Sequence, residues 1–70
     1  MTTFYLPPEA EYVDDGYGVG RVGQLFPNGL YDEARSAKQA RLNFRMVIAR
    51  MCGAKMADVD FDPNRIVQLG

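Results

Sequence analysis

From Asp32 to Cys52 the chain reads DEARSAKQARLNFRMVIARMC, with no glycine or proline between Gly29 and Gly53. Alanine, arginine, leucine, methionine and glutamine dominate this run, and all of them enter a helix at little cost. It predicts one helix over 32–52. Asp32 or Ser36 can cap its start, Gln39 stands at capping-box spacing from Ser36, and Gly53 ends it. Projected at about 100° per residue, Ala34, Ala37, Ala40, Phe44, Val47, Ile48 and Met51 share one face, a core stripe. A chain of 70 residues buries only about 60% of the surface its unfolded form exposes. One long helix therefore claims much of the single core, and the other segments must be arranged around it.

Those segments are short. "TFYLPP" places three large apolar residues before Pro7-Pro8, a short strand or an extended arm over 1–10. Glu11–Asp14 and Val19–Phe26 can pair across the Asp15-Gly16 turn, giving a hairpin over 11–26. Pro27-Asn28-Gly29 is a second turn signal. Beyond Gly53, residues 56–61 alternate, with Ala57, Val59 and Phe61 on one side and Asp58 and Asp60 on the other, as in a half-buried strand. The expected fold is α+β and a single domain over 1–70. One long helix in the C-terminal half packs on a small, mainly antiparallel sheet of about three strands.

Gly18-Val19-Gly20-Arg21-Val22-Gly23 has the G-x-G-x-x-G spacing of dinucleotide-binding loops. That chemistry needs a helix N-terminus straight after the third glycine, to hold the pyrophosphate with its amides. Here Gly23 leads into Gln24-Leu25-Phe26-Pro27, an extended run ending in a turn, and no βαβ unit fits in the remainder. A glycine loop of the kinase type needs a lysine, an Asp-Asn pair and a metal-binding aspartate on a far longer chain. No cofactor is expected, and the glycines are read as bend points in a twisted hairpin.

The chain has no histidine and one cysteine, so the commonest general base and any Cys/His metal set are missing. Cys52 has no base to activate it and reads as a small core residue. Asp58, Asp60 and Asp62 are spaced like the first ligands of a calcium loop, but Pro63-Asn64-Arg65 lacks the required glycine and closing acid. The chain is expected not to be an enzyme and to hold no metal. The lone cysteine points to a reducing compartment, and neither a signal peptide nor a membrane segment is expected. The expected location is the cytoplasm of a host cell, or a virion.

Net charge is −1, which gives no overall attraction to nucleic acid or an acidic membrane. The charges are nonetheless segregated: Arg35, Lys38, Arg41, Arg45, Arg50 and Lys55 follow one another with no acid between them. Opposite the core stripe lie Arg35, Gln39, Leu42, Met46 and Arg50. An apolar Leu-Met pair rimmed by arginines has the composition of a protein-binding patch. The aromatic residues Phe4, Tyr5, Tyr12 and Tyr17 either join that patch or fold over it as a lid.

Ile48–Phe61, "IARMCGAKMADVDF", resembles the helix end, glycine and strand that close small phycobilisome linker domains, without their strongly basic charge. The strand–helix–glycine–strand order is similar to small phage proteins that bind and inhibit a host enzyme. The resemblance implies a phage or mobile-element accessory protein that binds a larger host protein or assembly. A virion, assembly or linker-type structural subunit is the first alternative. A nucleic-acid binder using Arg35, Lys38, Arg41 and Arg45 is the second.

Overall fold

Strand periodicity, not an arm, organises the N-terminus. In the structure, a computed structural model that describes residues 1–16 and 18–70, β1 spans Thr2–Leu6. Phe4 and Leu6 point into the core, while Tyr5 between them is only half-buried. Strand β2 is Glu11–Asp14, β3 is Gly18–Arg21, and a single helical turn α1 covers Val22–Leu25. Strand β4 is Leu30–Ala34, helix α2 is Ala37–Cys52, β5 is Val59–Phe61 and β6 is Val67–Gln68. All strand pairs are antiparallel. They form two three-stranded sheets, ordered β4-β1-β6 and β3-β2-β5.

The α+β architecture with one long helix packed on a sheet is as expected, but several boundaries move. Residues 1–10 are no arm, because β1 is the central strand of the first sheet. The helix begins at Ala37 rather than 32. Leu30–Ala34 pairs along its whole length with β1, from Thr2↔Ala34 to Leu6↔Leu30, and that pairing outweighs the run's helix propensity. Ser36 is the cap in use: its Oγ accepts from the Gln39 amide at 3.2 Å. Gly53, left-handed at φ 68°, closes the other end.

The second strand of the hairpin stops at Arg21, not Phe26. The Val22 amide donates to the Ala10 carbonyl and the Gly23 amide to the Pro8 carbonyl, both at 2.8 Å. These bonds turn the chain into α1 and leave Val22 fully buried. Met56–Asp58 is a 3₁₀ turn, so the strand expected over 56–61 is confined to 59–61 and Ala57 is exposed.

Of the expected stripe on α2, Ala40, Phe44 and Ile48 are buried, and so is Ala34 at the end of β4. Val47 is half-buried, while Ala37 and Met51 are exposed at the two ends of the helix. Ala49 lies off the stripe yet is buried, because the chain folds back beyond Gly53 and the Ala54 amide donates to the Ala49 carbonyl at 2.9 Å. Phe44 meets Phe61 with ring centroids 6.4 Å apart, joining the helix to the second sheet. Among the described residues no helix is long and apolar enough to cross a membrane.

Candidate functional site

The residues expected to form one partner surface are distributed over the interior and two opposite sides of the molecule. Phe4 is 3% exposed and Tyr12 9%; both are interior side chains, since period-2 alternation sends them to the covered faces of β1 and β2. Tyr5 alternates to the uncovered face of β1. Tyr17 lies outside the described residues. On α2, Arg35 (just before the cap), Gln39, Met46 and Arg50 are exposed and Leu42 is half-buried. This helix face points away from the sheets, so Tyr5 and the helix residues cannot form one continuous patch. Nor does the N-terminus fold over the helix as a lid, because it is fixed as the middle strand of the sheet beneath.

Two of the four arginines and lysines expected to contact nucleic acid are occupied within the fold. Arg41 Nη2 holds both carboxylate oxygens of Asp60, at 2.8 and 2.9 Å. Arg45 donates through Nε to the Val59 carbonyl at 2.7 Å and through Nη2 to the Met56 carbonyl at 3.0 Å. This set fastens the 3₁₀ turn and β5 against the helix. Burial alone pushes the Asp60 carboxyl up. The Arg41 hydrogen bond, the Phe61 amide and the charges of Arg41 and Arg45 together hold it below its ordinary 3.8.

A group with a depressed folded pKa stabilises above its unfolded pKa and loses that contribution as pH falls through the folded value. Asp60→Asn should therefore lower the unfolding free energy measured in urea at neutral pH by a small amount, at most about 1 kcal/mol for a pair this exposed. The difference from the parent should close as pH drops below 3.8. A gap that stays constant down to pH 2 would exclude the ion pair as its source.

The first sheet carries the surface that sequence reasoning missed. Tyr5 pairs with Tyr31 on one side and with Val67 on the other, which sets the three side chains in a row across three strands. The Tyr5 and Tyr31 rings stack with centroids 4.6 Å apart. Tyr31 is 62% exposed, Val67 44% and Leu69 53%. The Leu69 amide donates to the Thr3 carbonyl at 2.8 Å, which continues the row along β1. Slight desolvation, then Tyr31 and Glu9, push the Tyr5 phenol above its ordinary 10.0, so its hydroxyl stays protonated at neutral pH and can donate. Leu30-Tyr31-Asp32-Glu33-Ala34 has no apolar alternation that could have marked it as a strand, and only its pairing with β1 sets Tyr31 outward.

The glycine motif builds a cleft and no phosphate cradle. The amides of Val22 and Gly23, which would have to face an anion, donate to Ala10 and Pro8. Gly18 lies opposite Asp14, and Gly20 opposite Tyr12. The inner face of β3 therefore offers no side chains there, and an opening of about 280 Å³ remains, lined by Tyr12, Asp14, Gly18, Val19, Gly20, Gln24 and Cys52. The Tyr12 ring leans over Gly20, where a Cβ would meet the hydroxyl at 2.6 Å. The Cys52 thiol, half-buried against the core, donates to the Tyr12 hydroxyl at 3.6 Å. The Cys52 sulfur beside the phenol, then burial, pushes the Tyr12 hydroxyl up to about 12. Among the described residues no group of three His, Cys, Asp or Glu side chains could hold a metal ion.

Compared with protein-family models, with curated proteins and with solved structures, the chain matches none. The local likeness of Ile48–Phe61 to linker domains, and of the element order to small phage inhibitors, thus leads to no family.

Proposed function

We propose that this protein is a small interaction module that binds a larger protein and performs no chemistry of its own. The observation that carries the reading is the Tyr31–Tyr5–Val67 row with Leu69 beside it, an uncovered stripe across all three strands of the first sheet. Tyrosines over an apolar base are enriched at the energetic centres of protein interfaces. The row lies on a rigid sheet, so little conformational entropy is lost on docking. The absence of histidine supports the non-catalytic part of the reading. In this role the chain acts as an accessory protein, inhibiting its partner or fastening it into an assembly. The helix face at Arg35, Gln39, Met46 and Arg50 is left as a secondary, basic surface.

Tyr31→Ala tests the row. The side chain is mostly exposed, so folding stability should fall by no more than about 1 kcal/mol, chiefly from the lost stacking. Affinity for the partner should fall about 30-fold or more, the loss expected when a central tyrosine is truncated. Met46→Asp on the helix should leave affinity within about threefold, as for a residue outside the interface. Unchanged partner capture by Tyr31→Ala would refute the sheet face as the docking surface.

A further inference from the structure

Asp14 is 5% exposed, the one buried charged residue among those described. The Gly16 amide donates to its Oδ1 at 3.1 Å, but no arginine or lysine of the described residues lies within 4.0 Å of it. No described residue supplies a cation for it, and the carboxylate lines an opening to solvent.

The walls of this opening suit one chemistry. The Tyr12 ring and Cys52 give an apolar lining, and the Tyr12 hydroxyl and Gln24 amide add two neutral polar groups. An aromatic face beside a carboxylate attracts an alkylammonium or a guanidinium, while the apolar wall receives its methylene stem. At about 280 Å³ the opening lies below the usual range for small-molecule pockets, roughly 300–1,000 Å³. It can admit one long side chain. The opening lies where Gly18, with no side chain and nothing within 4 Å of an added Cβ, faces Asp14 across the hairpin.

We propose that this cleft is a socket for a lysine or arginine side chain of a partner protein, with Asp14 as its counter-charge. The proposal takes the protein source of the cation from the interaction reading but does not depend on the first sheet's outer face. Its test needs no partner. Capped arginine amide and capped lysine amide are titrated into the labelled protein while backbone amide shifts are recorded. Capped norleucine amide, which has the stem without the charge, is the control.

The expected result is saturable shifts at Gly16, Gly18, Gly20 and Gln24 with both cations and none with norleucine. Asp14→Asn keeps an oxygen to accept from Gly16, so the turn should survive while the cation's affinity falls about tenfold or more. Equal shifts with norleucine, or equal affinity in a folded Asp14→Asn, would overturn the socket. So would binding of butane-1,4-diamine alone, which would assign the cleft to free amines. A negative titration leaves the Tyr31→Ala capture result unaffected, so the two readings fail separately.

Discussion

Phe44→Ala is expected to leave most of the chain unfolded at 25 °C. Phe44 is 1% exposed and joins α2 to the second sheet through Phe61. Truncating a buried phenylalanine to alanine costs about 3–5 kcal/mol, because the apolar contacts are lost and the cavity refills only in part. A domain of this length holds roughly 3–10 kcal/mol in total, and small single-core domains lie near the lower end. Circular dichroism at 222 nm should show loss of most of the helical signal, with no cooperative thermal transition. Phe44→Leu, which keeps most of the volume, should retain the transition with a lower midpoint. A cooperative Phe44→Ala transition within a few degrees of the parent would mean that α2 does not pack on this core.

Gly29→Ala is expected to have the second largest effect, through two costs acting at one position. Gly29 has φ 81°, and a Cβ there would meet the Leu6 carbonyl oxygen at 2.6 Å and Tyr5 Cε1 at 2.8 Å. The left-handed backbone costs a residue with a side chain about 1–2 kcal/mol, and overpacking adds about 1–3. The sum shifts the melting temperature by well over about 10 °C in a domain this small. Gly53→Ala separates the two costs: φ is 68°, but nothing lies within 4 Å of the added Cβ, so only the backbone part should appear. Equal melting temperatures for the two variants would show that the Gly29 contact with Leu6 and Tyr5 is not tight. Because Tyr5 rests on Gly29, Gly29→Ala should also disturb the Tyr5–Tyr31 stack.

The helix was legible because its information is local: a 3.6-residue apolar period, a serine cap and a terminal glycine all agree at α2. Strand β4 was not. Asp32 and Glu33 suit a helix start, and only pairing with β1 five residues long decides against it. That pairing is a property of the fold, which no window of sequence contains. The same strand carries Tyr31, so the surface now proposed to bind was lost with the boundary.

The hairpin repeats this lesson in its register. A two-residue Asp15-Gly16 turn would set Val19 opposite Tyr12, whereas the observed pairing sets Gly20 there and Gly18 opposite Asp14. A slip of one residue exchanges the inner and outer faces of a strand. It turns a filled interior into a cleft with a carboxylate in its wall. The glycines of "GYGVGRVGQ" stood out in the sequence, but what they are for depends on that register.

The most direct test of the docking face is photocrosslinking from single positions. Benzoylphenylalanine placed at Tyr31 should give one discrete, larger adduct in a lysate of the protein's cellular source, identified by mass spectrometry. The same group at Gln39, on the opposite helix face, should give no such adduct. Adducts from Gln39 with none from Tyr31, or none from either position, would contradict an interaction module that docks through its first sheet.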